Sequence, residues 1–218
     1  MRLLSNPALV EIVTLTLRVS GTALLISTVI GIPLGSWLGL SRFLGRRLVI
    51  AFLYTGMGFP PVVVGLFVYL LLSRSGPLGV LGWLFTPRAM IVAQTIIAFP
   101  MVAGFTMAAV MGVDSNLRQQ VLSLGATPWQ TTLAILSEAK VGVVVSIIAG
   151  FGSIISEVGA VMLVGGNIAG STRVLTTAIV LETRQGAFDL AITLGIILLS
   201  LSFLANTAML RLQGRAFE

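Results

Sequence analysis

Five apolar stretches account for most of the chain, and polar or glycine- and proline-rich connections separate them. The uncharged run from Val19 to Leu40 is about 22 residues long, and about 20 apolar residues cross the hydrocarbon core of a bilayer as a helix. That run predicts a first span over 13–40, starting near Val13, with Arg18 at or just under the outer interface and a bend at Pro33. Further spans are predicted at about 48–72, 89–111, 141–164 and 190–210. Gly31, Gly35 and Gly39 recur at every fourth position and give the first helix one smooth face for close packing. Pro60-Pro61 removes two adjacent amide donors, so the second span must kink or unwind there. Pro100 lies near the middle of the third. The expected architecture is all-α: a polytopic transmembrane bundle of five spans in a single domain over 1–218.

The pattern breaks at 114–138, DSNLRQQVLSLGATPWQTTLAILSE, the longest stretch that does not suit lipid. Leu117, Val121 and Leu124 share a helical face at i, i+4, i+7 spacing. Gly125 ends that helix, because glycine takes a sharp reversal that a β-carbon resists. Thr127 and Pro128 supply an N-cap and a first-turn proline for a second helix, along which Trp129, Leu133 and Leu136 align. The insert is therefore helix, glycine turn, helix. A second long connection, 165–186, contains a short helix predicted over 173–183.

Composition sharpens the class. The chain is 56% hydrophobic and only 9% charged, against about 25% charged residues in soluble domains. Its mean hydropathy is +1.07. With no cysteine and no histidine, disulfides, thiol nucleophiles, imidazole bases and the usual zinc and copper sites are excluded. No pair of carboxylates is spaced for acid–base work, so no catalytic or metal-binding residue and no bound cofactor is expected. The net charge of +6 reads as topology rather than nucleic-acid binding. Arg42, Arg46, Arg47, Arg118, Lys140, Arg211 and Arg215 fall on one side, against Arg2, Arg74, Arg88, Arg173 and Arg184 on the other. The positive-inside rule then puts the amino terminus outside the cell membrane, and the insert and carboxyl terminus in the cytoplasm.

The insert resembles the "EAA" loop of ABC importer permeases: Glu-Ala-Ala, three residues, Gly, nine residues, Ile, one residue, Leu-Pro. Gly125, Ala126 and Ile135 hold their places, while Gln119, Gln120 and Val121 stand for Glu-Ala-Ala and Ser137-Glu138 for Leu-Pro. The sequence IGIPLG at 30–35, the Pro-Pro break and Pro100 are familiar in the same family. The segment 156–186, SEVGAVMLVGGNIAGSTRVLTTAIVLETRQG, is similar to the tungstate-type permeases, relatives of those for molybdate and sulfate. The resemblance implies a type I importer fold in which 114–138 is a cytoplasmic coupling helix. Gln119, Gln120, Val121, Leu124, Gly125, Ala126, Pro128 and Ile135 would meet an ABC ATPase dimer. It also implies an extracytoplasmic oxyanion-binding protein. The chain has no GxxxxGK[ST] phosphate loop, so ATP hydrolysis would reside on the partner subunit. Five spans are too few to enclose a gated passage alone, which points to a homodimer in the lipid with the pathway on its twofold axis.

In the fourth span Ser146, Gly150, Ser153, Glu157 and Ala160 form a narrow stripe of small or polar groups. Small residues there serve helix packing. An ionisable group in a span is costly and usually functional, and Glu157 is expected to hold the gate's shape against Arg18, Arg173 or a backbone amide. Ser153, Ser156, Thr172, Arg173, Thr176 and Thr177 are the candidate pathway groups for an oxyanion, although each hydroxyl can also bond back to its own helix. An ion-gradient-driven transporter or channel, a membrane enzyme and an interfacial helix pair without a partner are the competing readings.

Overall fold

The structure is a computed structural model that describes residues 7–212. It is an all-helical bundle, and no strand is present among the described residues. The elements are α1 (Pro7–Leu40), α2 (Arg46–Met57), α3 (Pro61–Leu72), α4 (Pro87–Met111), α5 (Ser115–Ser123), α6 (Pro128–Glu138), α7 (Lys140–Ile155), α8 (Gly159–Gly165), α9 (Leu175–Arg184) and α10 (Phe188–Leu212). Helices α1, α4 and α10 are each long and apolar enough to cross a membrane, and counting two bent pairs as spans raises the total to five.

Helix α1 is already helical at Pro7, the first described residue, ahead of the expected Val13. From Arg18 to Leu40 it rises roughly 33 Å at 1.5 Å per residue, about one hydrocarbon thickness.

The α1–α4 contact organises the bundle. A Cβ at Gly31 would stand 3.0 Å from Val102 Cγ1, and one at Gly39 2.9 Å from Val110 Cγ1. One at Gly35 would strike the carbonyl oxygen of Ala103. The glycine stripe thus brings the two backbones together, as its spacing implies. On one side of this pair, Val19 packs with Val68, Met90, Ala160 and Val164 to join α3, α4 and α8. On the other, Leu38, Leu53, Ala103 and Met107 join α1, α2 and α4. Helix α9 docks on α10 through Leu175, Ala178 and Leu194. The outer face of α10 carries Ile192, Ile196, Leu199 and Phe203, all exposed, as suits a helix bordered by hydrocarbon.

Two expected spans are broken. The second is α2 and α3, which meet at an angle of 101°. Pro60 caps α3 and Pro61 begins it, so the tandem prolines end one helix and start another instead of kinking a continuous one. The fourth ends at Ile155 rather than Val164, since residues 156–158 leave the helix and α8 forms separately. Its other end is joined to α6 through Ala139 at an angle of 72°. The connection 165–186 contains α9, close to the short helix read from sequence.

Candidate functional site

Two constellations stand out, one at each end of the broken fourth span. The first is the elbow of α5 and α6. Asp114 caps α5, its Oδ1 accepting from the Asn116 amide at 2.9 Å. Gly125 turns the chain with φ +84°, the left-handed region that favours glycine. The reversal is closed by the Gly125 amide to the Leu122 carbonyl (3.0 Å) and the Ala126 amide to the Val121 carbonyl (3.3 Å). Helix α6 then starts with a reciprocal cap. The Gln130 amide donates to Thr127 Oγ1 at 3.3 Å, and the Thr127 amide donates to Gln130 Oε1 at 2.8 Å.

Gln119, Gln120, Leu124, Gly125 and Pro128 are exposed, and Val121 and Ala126 are half-buried. Leu124 is 87% exposed at the tip. Ile135 is different: it is buried against Val110 and Ala139, so it anchors α6 to the bundle and offers a partner nothing. Two exposed residues outside the motif flank the elbow on its α1 side, Trp129 beside Pro128 and Arg118, which donates to the Leu40 carbonyl at 3.2 Å. Trp129 was visible in the sequence as part of an apolar face; nothing local marked Arg118 as the residue that reaches back to α1. Thr127→Ala is expected to loosen the start of α6 by about 1 kcal/mol. Faster hydrogen exchange at the Gln130 amide is the readout, and unchanged protection would contradict it.

The second constellation surrounds the break at 156–158. Glu157 Oε1 accepts from the Ala160 amide at 2.9 Å and so caps α8. The backbone amide is the partner that the sequence left open among three; neither Arg18 nor Arg173 takes it. Thr176 of α9 donates to the Glu157 carbonyl at 3.0 Å. Gln94 of α4, only 3% exposed, donates through Nε2 to the Ile154 carbonyl at 3.1 Å. The break is therefore held from α4, α8 and α9 together. Gln94 is not among the residues expected from sequence to matter, although it is the one amide side chain in the third span.

Ser153 and Ser156 bond back to the Gly150 and Gly152 carbonyls at 2.7 and 3.0 Å. Thr177 Oγ1 accepts from the Val174 amide and donates to the Val174 carbonyl, both at 3.1 Å, so it closes the first turn of α9. Arg173 stands apart, donating through Nη2 to the Asn167 carbonyl at 3.4 Å. Ser153 also borders a cleft of about 270 Å³ whose other wall is the α2–α3 break, from Gly56 to Pro61. The two interrupted spans thus meet at one place. No group of three or more His, Cys, Asp or Glu side chains able to hold a metal is present among the described residues.

Residues 31–217 match the family described as binding-protein-dependent transport system inner membrane component. A probable anion ABC transporter permease protein of Haloferax volcanii is 44% identical over 212 residues, covering 95% of this chain and 91% of that one. The tungstate uptake system permease protein TupB of Peptoclostridium acidaminophilum is 41% identical over 208 residues, with the same coverage, 95% and 91%. Among solved structures, a bacterial alginate ABC transporter in complex with alginate pentasaccharide-bound periplasmic protein superposes with a TM-score of 0.76. That match covers 98% of this chain and 81% of that one at 23% identity, and shows a shared fold.

Proposed function

The chain belongs to the binding-protein-dependent transport system inner membrane component family, and from that premise we propose that it is the permease of an ATP-driven oxyanion importer. Tungstate is the foremost substrate, with molybdate and sulfate next. The observation that carries the coupling half of this reading is the elbow. A glycine turn at φ +84° projects an exposed Leu124 beyond the bundle, while buried Ile135 ties its second helix to the end of α4. A separate ATPase dimer grips the tip, and closure of that dimer moves α6 and with it the spans.

The anion half rests on the relatives. Two that align along nearly the whole chain carry the words anion and tungstate in their names. An extracytoplasmic binding protein delivers the ion, and two copies of the permease enclose the path. The cleft at Ser153, where both broken spans meet, is the constriction. The elbow and carboxyl terminus face the cytoplasm and the amino terminus faces outward.

The test is ATP hydrolysis by the reconstituted complex of permease, ATPase and binding protein, with tungstate, molybdate and sulfate added side by side. Stimulation by tungstate above the other two is the expected result. Stimulation by none of them, or uptake that runs on an ion gradient without ATP, overturns the proposal in favour of a secondary transporter.

A further inference from the structure

Between α1 and the elbow runs a cleft of about 490 Å³. One wall is α1 from Ile32 to Leu40, the other is α6 with Trp129, Thr132 and Leu136, and Arg118 of α5 stands at its edge. Ile32 lies eight residues before the end of α1, so this wall runs roughly 12 Å along the helix, back into the span. Ile32, Pro33, Leu40 and Leu136 make it mostly carbon.

Its rim is different. Trp37 and Trp129 are 52% and 69% exposed, and indoles favour the level of lipid headgroups. Trp37 is held in place by stacking on Phe43, ring centroids 4.8 Å apart. Arg118 gives Nη1 to the Leu40 carbonyl, which fixes the guanidinium beside the end of α1 and leaves its other N–H groups free among the described residues. Arg42 and Arg46 line the adjoining pocket, where Asp114 is the one acid.

We propose that this cleft holds one anionic phospholipid, its acyl chain along Ile32, Leu40 and Leu136 and its phosphate on Arg118. Apolar length with a cationic end is the complement of that molecule, and basic pockets between membrane helices are where anionic headgroups bind. A soluble anion would use Arg118 and leave the carbon wall wet. A neutral lipid would cover the wall and leave the guanidinium unmatched. Leu124, the tip offered to the ATPase, does not line this cleft, although Pro128 borders both surfaces. The bound lipid becomes a packing partner of α6, so the anionic lipid content of the membrane tunes how freely the elbow moves against the span.

The experiment reads binding alone, so its failure leaves the transport proposal standing. The full-length permease, with Trp83 and Trp129 changed to Phe, is reconstituted in phosphatidylcholine vesicles containing a minor fraction of brominated phosphatidylglycerol or brominated phosphatidylcholine. Brominated phosphatidylglycerol is expected to quench Trp37 about fivefold more effectively, the preference expected from one basic residue at the membrane surface. Arg118→Gln abolishes the preference and Arg118→Lys retains it. Native mass spectrometry of the unaltered chain should retain one phosphatidylglycerol, which keeps the test open if the double tryptophan variant fails to fold. Equal quenching by the two lipids, an undiminished preference in Arg118→Gln, or absence of quenching by either lipid because a second copy covers the cleft, each overturns the proposal.

Discussion

Replacing Gly125 by leucine is expected to release the ATPase from the complex while leaving the permease in the membrane. At φ +84° a residue with a β-carbon is strained by roughly 1–2 kcal/mol, and nothing else lies within 4 Å of the site of that carbon. The effect therefore comes from backbone conformation, not collision. A penalty of that size lowers the population of the closed elbow by about five- to thirtyfold, and the ATPase recovered with affinity-tagged permease falls with it. Asparagine tolerates the left-handed region better than most side chains, so Gly125→Asn keeps much of the association. Undiminished recovery with leucine, or equal losses with leucine and asparagine, would show that the turn is not what the ATPase reads.

The second large effect belongs to Glu157. Glu157→Ala leaves the Ala160 amide unpartnered in a buried position, a cost on the order of 1–3 kcal/mol, and loosens the start of α8. The complex is expected to keep hydrolysing ATP while oxyanion uptake drops about tenfold, the factor that ~1.4 kcal/mol corresponds to. Glu157→Gln retains an oxygen that can accept the same bond, so it is milder. Since the carboxylate points at a backbone amide of its own chain, neither change alters the order of preference among tungstate, molybdate and sulfate. A variant that transports normally, or one that switches ions, defeats this account.

How far the sequence carried depended on whether a feature was local. The glycine stripe at 31, 35 and 39 announced the α1–α4 contact because helical period and side-chain size suffice to define a smooth face. The elbow was readable for the same reason: Gly125, Thr127, Pro128 and Gln130 act within a few residues of one another. The break at 156–158 was not. No proline interrupts 141–164, its serines and Glu157 are compatible with a continuous helix, and the interruption rests on bonds from Gln94 and Thr176, which lie far off in sequence. Pro60-Pro61 marked where the second span fails, but not that its halves would meet at 101°, because a missing amide sets no direction. Ile135 matched a motif by spacing and proved to be a core residue, which only its contacts with Val110 and Ala139 reveal.

The place where Gly35 lies against the Ala103 carbonyl has a bearing on how force travels. Two rods touching main chain to main chain have no compressible layer between them, so neither can slide or roll without carrying the other. The second rod runs directly into the elbow through Gly112 and Asp114. On the proposed coupling, a pull at Leu124 would be carried into α4 and α1 together rather than lost between them.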